Sequence, residues 1–176
     1  RNSEVLFRHA LAVTKNNATA NYALGDYLAE EGRLDEAEKY VAEAMRLHPH
    51  FVPGYKTLGL VRLAQGKYAS AYESFEELER LEPENGSVHY TMGIILEKMR
   101  KPEEATQKFE RAAALFREAL AQAPDDASVM FNLATALDKL GKRDEALPIY
   151  REALRLRPDL LPPDIGEALL NSTREP

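Results

Sequence analysis

Residues 52–85 read VPGYKTLGLVRLAQGKYASAYESFEELERLEPEN, and the stretch divides at Gly66 into two segments of helical periodicity. In both segments the apolar residues recur every three or four positions, as Phe75 and Leu78 do in the second. This spacing indicates one face of an α-helix. Gly66 suits a helix C-cap of positive φ, and Pro83 suits the end of the second helix. The same roles are expected of Gly32 and Gly141, and of Pro49, Pro124 and Pro158. The stretch therefore predicts two antiparallel helices joined by a short turn.

The same pattern recurs along the 176 residues. The first helix of each predicted pair carries a large apolar residue followed by Gly or Ala, at Leu24-Gly25, Leu58-Gly59, Met92-Gly93 and Leu133-Ala134. Each second helix carries an alanine and, four residues later, a larger apolar residue, at Ala37 and Val41, Ala71 and Phe75, Ala105 and Phe109, and Ala146 and Tyr150. Glycine inside a helix costs about 1 kcal/mol relative to alanine. We therefore expect the small residues to permit close approach of two helices.

With these positions repeated in four units, the chain resembles the tetratricopeptide repeat family, whose unit is a 34-residue helix–turn–helix. Where that family often has Trp, this chain has Asn21, Tyr55, His89 and Met130. The resemblance implies an all-α fold, a right-handed superhelical α-solenoid of antiparallel helix pairs. The predicted parts are a lone second helix at 1–17, repeats at 18–51, 52–85, 86–126 and 127–160, and a cap helix or tail at 161–176. The lone helix is predicted from Phe7, Ala10 and Leu11, which have the phase of a second helix. We expect one solenoid domain over 1–176.

The third repeat is seven residues longer than the others. Its second helix contains Phe109-x-x-Ala112 and then Phe116-x-x-Ala119. Because seven residues are nearly two helical turns, the apolar face turns by only about 20°. We predict one continuous helix from about Glu103 to Gln122. Two interpretations remain open: the insertion displaces the last unit or creates a contact surface, or it only changes the curvature of the stack.

Composition and motifs exclude several classes of function. The chain has 23 basic and 29 acidic residues, a net charge of −6 and no cysteine. Disulfides, thiolate zinc sites and thiol nucleophiles are therefore excluded, and an acidic chain is not typical of nucleic-acid binders. No stretch is apolar enough to cross a bilayer, and no leader is visible, although a start at Arg1 suggests a fragment or processed product.

No motif for catalysis, cofactor binding or a metal site is present. His48 and His50 flank a proline without a carboxylate at ligand spacing, which is a poor metal site. His89 stands at a position where the family has a packing aromatic residue, which favours a structural role. We therefore predict a protein that is not an enzyme and has no cofactor.

The resemblance further implies a concave groove lined by the first helices, in which protein or peptide segments bind. The groove residues predicted in this way combine aromatic, aliphatic and charged side chains: Tyr22, Asp26, Lys56, Leu60, Leu63, Tyr90, Ile94, Lys98, Phe131, Thr135 and Lys139. The wider set of groove positions that the resemblance implies also includes Thr19. Exposed apolar groups gathered on one surface indicate an interaction site. The alternative is that these side chains pack against their neighbours. One variety of the family binds a free C-terminal carboxylate through a set of Lys, Asn and Arg side chains. This chain matches that set only at Lys56 and Asn132, so we do not expect it to bind the acidic tails of chaperones.

The leading hypothesis is a protein–protein interaction module that binds a peptide or partner segment in the groove. A second is an accessory domain of a larger enzyme, since residues 1–11 resemble the start of the repeat tails of many-span glycosyltransferase-like membrane proteins. That would tether the domain beside a membrane, whereas the default expectation is a soluble cytoplasmic domain. A third hypothesis is self-assembly through the edge of the N-terminal helix.

Overall fold

The computed structural model describes residues 2–160, and this part of the chain contains nine α-helices, one short 3-10 helix and no strand. The helices are α1 (Asn2–Val13), α2 (Ala18–Glu30), α3 (Leu34–Leu47), α4 (Val52–Ala64), α5 (Tyr68–Leu81), α6 (Gly86–Lys98), α7 (Pro102–Gln122), α8 (Ala127–Lys139) and α9 (Arg143–Leu156). The 3-10 helix is Pro158–Leu160. The all-α fold is confirmed. The cap helix or tail predicted at 161–176 lies outside the described residues.

The helices form two compact units. Among the described residues, unit 1 comprises those up to Pro83 together with Ile95–Arg100, and unit 2 comprises Glu84–Ile94 together with residues 101–160. We describe each unit by itself, and the single domain expected from the sequence stays a prediction.

In unit 1, α2 packs against α3, and α4 packs against α5, so that each predicted repeat is a helix pair. Their facing residues form the core, in which Leu24, Leu28 and Val41 are fully buried. Helix α1 packs against α2. Phe7 and Leu11 contact the cluster around Leu24 and Leu28, in the phase expected of a lone second helix.

The glycines between paired helices have the conformation that the sequence predicts. Gly32, Gly66 and Gly141 have φ values of 75°, 74° and 74°, which L residues with a side chain rarely adopt. At the first of these turns, the amide of Arg33 donates to the carbonyl of Leu28 at 2.9 Å. This hydrogen bond, from the sixth residue of the turn to the first, satisfies a carbonyl that the end of a helix leaves without a partner.

Prolines mark the ends of the second helices, also as predicted. Helices α3, α5, α7 and α9 each end two residues before a proline, at Pro49, Pro83, Pro124 and Pro158. A proline disfavours the helical conformation of the residue before it. Pro148 lies inside α9, five residues after its first residue Arg143. There proline lacks the amide that would donate to the carbonyl of Asp144, so α9 loses one internal hydrogen bond in its second turn.

The seven-residue insertion makes α7 one continuous helix of 21 residues, as predicted, whereas α3, α5 and α9 have 14 each. A Cβ atom placed on Gly93 would lie 2.5 Å from the ring of Phe109, and one on Gly86 would lie 2.7 Å from the ring of Phe116. The two glycines are seven residues apart, as are the two rings, and their order is reversed. The insertion therefore adds a second contact of an aromatic ring with a glycine, two helical turns from the first. The reversed order is that of two antiparallel helices.

Helix α8 packs on α7 from Phe109 toward its C-terminal end. Ala112 and Phe116 of α7 share a buried cluster with Leu133 of α8, and the ammonium of Lys139 lies 5.8 Å from the centre of the Phe109 ring. Glu103, Glu104 and Thr106, in the first turns of α7, are exposed. Whether this surface has a function stays a prediction.

Candidate peptide-binding surfaces

All eleven predicted groove residues lie on the first helices of the pairs, and none of them is buried. Lys56, Leu60, Lys98 and Lys139 are exposed, and the others are half-buried. Unit 1 holds six of them: Tyr22, Asp26, Lys56, Leu60, Leu63 and Lys98. Unit 2 holds the other five: Tyr90, Ile94, Phe131, Thr135 and Lys139.

In unit 1 the first helices α2 and α4 contact each other, and polar side chains link them. The hydroxyl of Thr57 donates to Oδ1 of Asp26 at 3.1 Å, and the hydroxyl of Tyr22 lies 3.4 Å from that of Thr57 and 3.5 Å from the same carboxylate oxygen. Tyr22 and Thr57 therefore fix the position of the Asp26 carboxylate. We call the surface formed by Thr19, Tyr22, Asp26, Lys56, Thr57 and Leu60 the α2–α4 surface.

A small pocket adjoins this surface where α2 begins. It has a volume of about 230 Å³ and is lined by Ala18, Thr19, His48 and Phe51. The Phe51 ring meets the ring of Tyr22 edge-on, with 4.8 Å between the ring centres, and lies 5.9 Å from the ring of His48. The pocket is therefore continuous with the α2–α4 surface through the contact of Phe51 with Tyr22.

Phe51 and His48 are not among the groove residues predicted from the sequence. One local signal could have indicated Phe51: it occupies the N-cap of α4 without a capping hydrogen bond, at a position where polar side chains are preferred. Nothing local indicates His48, because its role as a pocket wall depends on how the α3–α4 connection lies against the start of α2.

Leu60 is the apolar centre of the α2–α4 surface, with 42% of the residue exposed. Among the described residues, the other exposed large apolar side chains are Val5, Leu6 and Val13, all on α1. Burial of a leucine from water is favourable by roughly 2 kcal/mol. Leu60 is therefore the position in the described first helices where a partner gains most from apolar contact.

The charges on the α2–α4 surface make fewer contacts with opposite charges than the carboxylate of Glu38 does in the same unit. Glu38, for comparison, binds Lys67 at 2.6 Å and Arg62 at 2.9 Å, and its hydrogen bond with Lys67 contributes most to lowering the pKa of its carboxyl. Within residues 2–160, Lys56 has no ion pair or hydrogen bond, and Asp26 accepts hydrogen bonds only through Oδ1. The ammonium of Lys56 and Oδ2 of Asp26 are therefore free to contact a ligand.

The corresponding residues of unit 2 make more contacts within the protein. The ring centres of Phe131 and Tyr150 are 5.1 Å apart, and the hydroxyl of Tyr150 donates to Thr135 at 3.0 Å. Burial raises the pKa of the Tyr150 phenol. The ring centre of Tyr90 is 5.6 Å from that of Phe109. These side chains are half-buried against their neighbours, whereas Leu60 is exposed.

The part of the chain that the structure describes contains no group of three His, Asp or Glu side chains placed to hold a metal ion. His48 and His50 are exposed, whereas His89 is buried, with 5% of the residue exposed. No helix among the described residues is long and apolar enough to cross a membrane.

Two characterised proteins resemble this chain over part of its length. The type IV pilus assembly protein PilF of Pseudomonas aeruginosa is 35% identical over 106 residues, which are 59% of this chain and 42% of that protein. The human protein O-mannosyl-transferase TMTC3 is 27% identical over 110 residues, which are 61% of this chain and 12% of that protein. The chain thus spans less than half the length of either relative.

Solved structures share the fold. The structure of TTC0263, a thermophilic TPR protein of Thermus thermophilus, has a TM-score of 0.69 at 21% identity, covering 96% of this chain and 88% of that one. YrrB, described as a TPR protein with an unusual peptide-binding site, has a TM-score of 0.53 at 20% identity, covering 96% of this chain and 98% of that one. At these identities the likeness concerns the fold alone.

Two family profiles described as tetratricopeptide repeat match this chain, at residues 4–50 and 85–159. The matched residues contain α1 to α3 and α6 to α9, and α4 and α5 between them form a helix pair of the same kind. Sequence, helix pairing and structural neighbours agree, and the chain therefore belongs to the tetratricopeptide repeat family.

Proposed function

We propose that this chain binds a segment of a partner protein on the α2–α4 surface. Tetratricopeptide repeat proteins are generally interaction modules without catalytic activity of their own, and the proposal gives this chain such a role at a particular surface. The observation that carries it is the exposure of Leu60 on the same surface as Lys56 and Asp26, whose ammonium and Oδ2 have no partner within residues 2–160. Apolar side chains at the centre of a partly polar surface are typical of binding hot spots.

The predicted groove residues of unit 2 belong to the proposal as a secondary contact surface. Lys139 and Ile94 supply charge and apolar area there, while Tyr90, Phe131 and Thr135 are partly engaged by neighbours. The peptide-binding site named for YrrB supports peptide binding only as a property that this fold can have.

The experiment is a peptide-display selection on the parent chain and on Leu60→Glu. We expect enriched peptides to lose at least tenfold in affinity for the variant, because the substitution removes the apolar contact and a carboxylate must be desolvated in its place. Val13→Glu is the matched control, since Val13 is also an exposed apolar helical residue but lies on α1. Equal binding by the parent and Leu60→Glu, with unchanged circular dichroism, would contradict the proposal.

An accessory role in a larger enzyme is a second candidate, favoured by the match to part of the O-mannosyl-transferase TMTC3. In that case this chain would position a partner or substrate protein for catalysis elsewhere in the same polypeptide. Sequencing the transcript that encodes these residues tests the idea: membrane-spanning segments in the same reading frame would support it, and their absence from the full transcript would contradict it.

Self-association is a third candidate, favoured by the exposed Val5, Leu6 and Val13 on α1. Sedimentation equilibrium of the parent and Leu6→Glu distinguishes it from peptide binding. A parent that is monomeric at millimolar concentration would exclude this role.

A further inference from the structure

Resting on the proposed function, we propose a specific ligand for the α2–α4 surface: an extended peptide with an apolar side chain and a Lys or Arg three residues apart. The apolar side chain enters the pocket between His48 and Phe51. The basic side chain covers Leu60 with its aliphatic stem and binds Asp26 with its charged end.

The size and lining of the pocket select one apolar side chain. Pockets that hold whole small molecules have volumes of roughly 300–1,000 Å³, and this one has about 230 Å³. Ala18 and Phe51 contribute apolar groups to its lining, and Thr19 and His48 contribute polar groups. A single aliphatic or aromatic side chain therefore fits the space and the chemistry.

Asp26 and Leu60 lie about one helical turn apart on the two neighbouring helices. The hydroxyl of Thr57, three residues before Leu60, donates to the carboxylate of Asp26. The carboxylate therefore lies about 4.5 Å along α4 from the level of Leu60. Long basic side chains bury their methylene stems on apolar surface while their charged ends remain polar. A Lys or Arg thus matches an exposed leucine beside a carboxylate with one free oxygen.

The distance between the two features sets the spacing in the ligand. Thr19 at the pocket and Asp26 are seven residues apart on α2, or about 10.5 Å along a helix at 1.5 Å per residue. An extended peptide covers this distance in three residues at about 3.3 Å each. A helical ligand would need seven residues to do the same.

Lys56 restricts which residues of the ligand can lie between its apolar side chain and its basic side chain. It lies one turn before Leu60 on α4 and has no ionic partner among the described residues. Its charge repels a basic residue in the middle of the ligand and favours a peptide carbonyl or a carboxylate there. The net charge of −6 favours a ligand that is basic overall. The expected pattern is therefore an apolar residue and a Lys or Arg separated by two non-basic residues, with the chain running in either direction.

The test measures fluorescence anisotropy with labelled nine-residue peptides in a Gly/Ser background. The parent peptide carries Leu and Arg three residues apart, and its variants carry Gln for Arg, Gly for Leu, or the two residues in reversed order. We expect the Leu/Arg peptide, in one of the two orders, to bind three- to tenfold more tightly than the Gln and Gly versions. Equal affinity for all the peptides would overturn the inference.

Two substitutions in the protein locate the contacts. Asp26→Asn should abolish the preference for Arg over Gln, whereas Asp125→Asn, at an exposed aspartate of unit 2, should keep it. Thr19→Phe fills the pocket and should abolish the preference for Leu over Gly. Ser128→Phe is its control, because Ser128 is likewise the second residue of a first helix. Retention of either preference by the α2–α4 variants would overturn the inference.

The display selection separates this inference from the proposed function. A motif of different chemistry that is enriched on the parent and lost on Leu60→Glu would keep the proposed function and overturn the apolar-and-basic ligand. No enrichment on the parent would overturn both.

Discussion

At the scale of single residues, small side chains are placed where an aromatic or branched side chain of the paired helix needs space. A Cβ atom on Gly25 would lie 2.5 Å from the side chain of Val41, and one on Gly59 would lie 2.6 Å from the ring of Phe75. Real Cβ atoms do not approach other heavy atoms so closely, and a well-packed interior cannot easily move the ring. The sequence predicted this role correctly, because a residue unfavourable for a helix recurs at one register.

Gly93→Ala tests the close approach. Alanine gains about 1 kcal/mol of helix propensity, but its Cβ would lie 2.5 Å from the ring of Phe109, which is 2% exposed and fixed in the core. Overpacking costs typically 1–3 kcal/mol, so we expect the variant to be less stable by about 1 kcal/mol. Urea unfolding followed by circular dichroism measures the change. Phe109→Leu combined with Gly93→Ala should restore part of the loss; a stabilised single variant would contradict the argument.

At the scale of helices, the insertion in α7 keeps the helical phase and repeats an existing contact. Phe109 lies on Gly93 and Phe116 lies on Gly86, so the longer helix remains packed over both turns. The continuity of α7 could be predicted because a seven-residue step preserves one face. The contact of Phe116 with Gly86 could not, because Gly86 reads in sequence only as part of the turn that precedes α6.

Removal of one heptad from α7 should be tolerated better than removal of five residues. Deletion of residues 110–116 leaves Phe109 followed by Arg117, Glu118 and Ala119, which restores the spacing of the regular repeats. Deletion of residues 110–114 turns the rest of α7 by about 140° relative to its start and moves its apolar face away from α8. We expect cooperative thermal unfolding of the first variant only. Similar unfolding midpoints for both deletions would show that the phase of α7 is unimportant.

At the scale of the whole molecule, many carboxylates of both units are bound to arginine or lysine. The pKa of each carboxyl is lowered, and hydrogen bonds to basic side chains are the main cause, at Glu4, Glu36, Glu38, Glu43, Glu152 and Asp159. Arg157 lowers the pKa of Asp159 from 3.8 to about 2. Single exposed ion pairs contribute little to the free energy of unfolding. Their contributions nevertheless all change in the same direction with pH.

Stability should therefore decrease as the pH falls. A carboxyl whose pKa is lower in the folded state stabilises the fold above its unfolded-state pKa, which is 4.5 for Glu and 3.8 for Asp. That contribution is lost as the pH falls through the folded-state pKa. We expect the urea midpoint to fall between pH 5 and pH 2, and the fall to be smaller in 1 M NaCl, where surface ion pairs are screened. An equal midpoint at pH 7 and pH 3 would contradict this.

The family and the helix boundaries could be predicted because they depend on neighbours in sequence. Gly32, Gly66 and Gly141 end helices through their own φ preference, and the prolines after the second helices act on the residue before them. The N-terminal helix was predicted from the phase of Phe7 and Leu11. The predicted groove residues all lie on the first helices, because register along a helix fixes which residues share a face, and their role in binding stays a prediction.

Local sequence thus specifies the helix pairs, their turns and the residues on each helical face, because these follow from backbone preferences and apolar periodicity over a few residues. Which of those side chains remain available to a ligand is decided by tertiary packing. Tyr90 packs against Phe109, Leu60 stays open, and Phe51 and His48 form a pocket with the start of α2. These outcomes depend on contacts between residues that are distant in the chain, which periodicity does not encode.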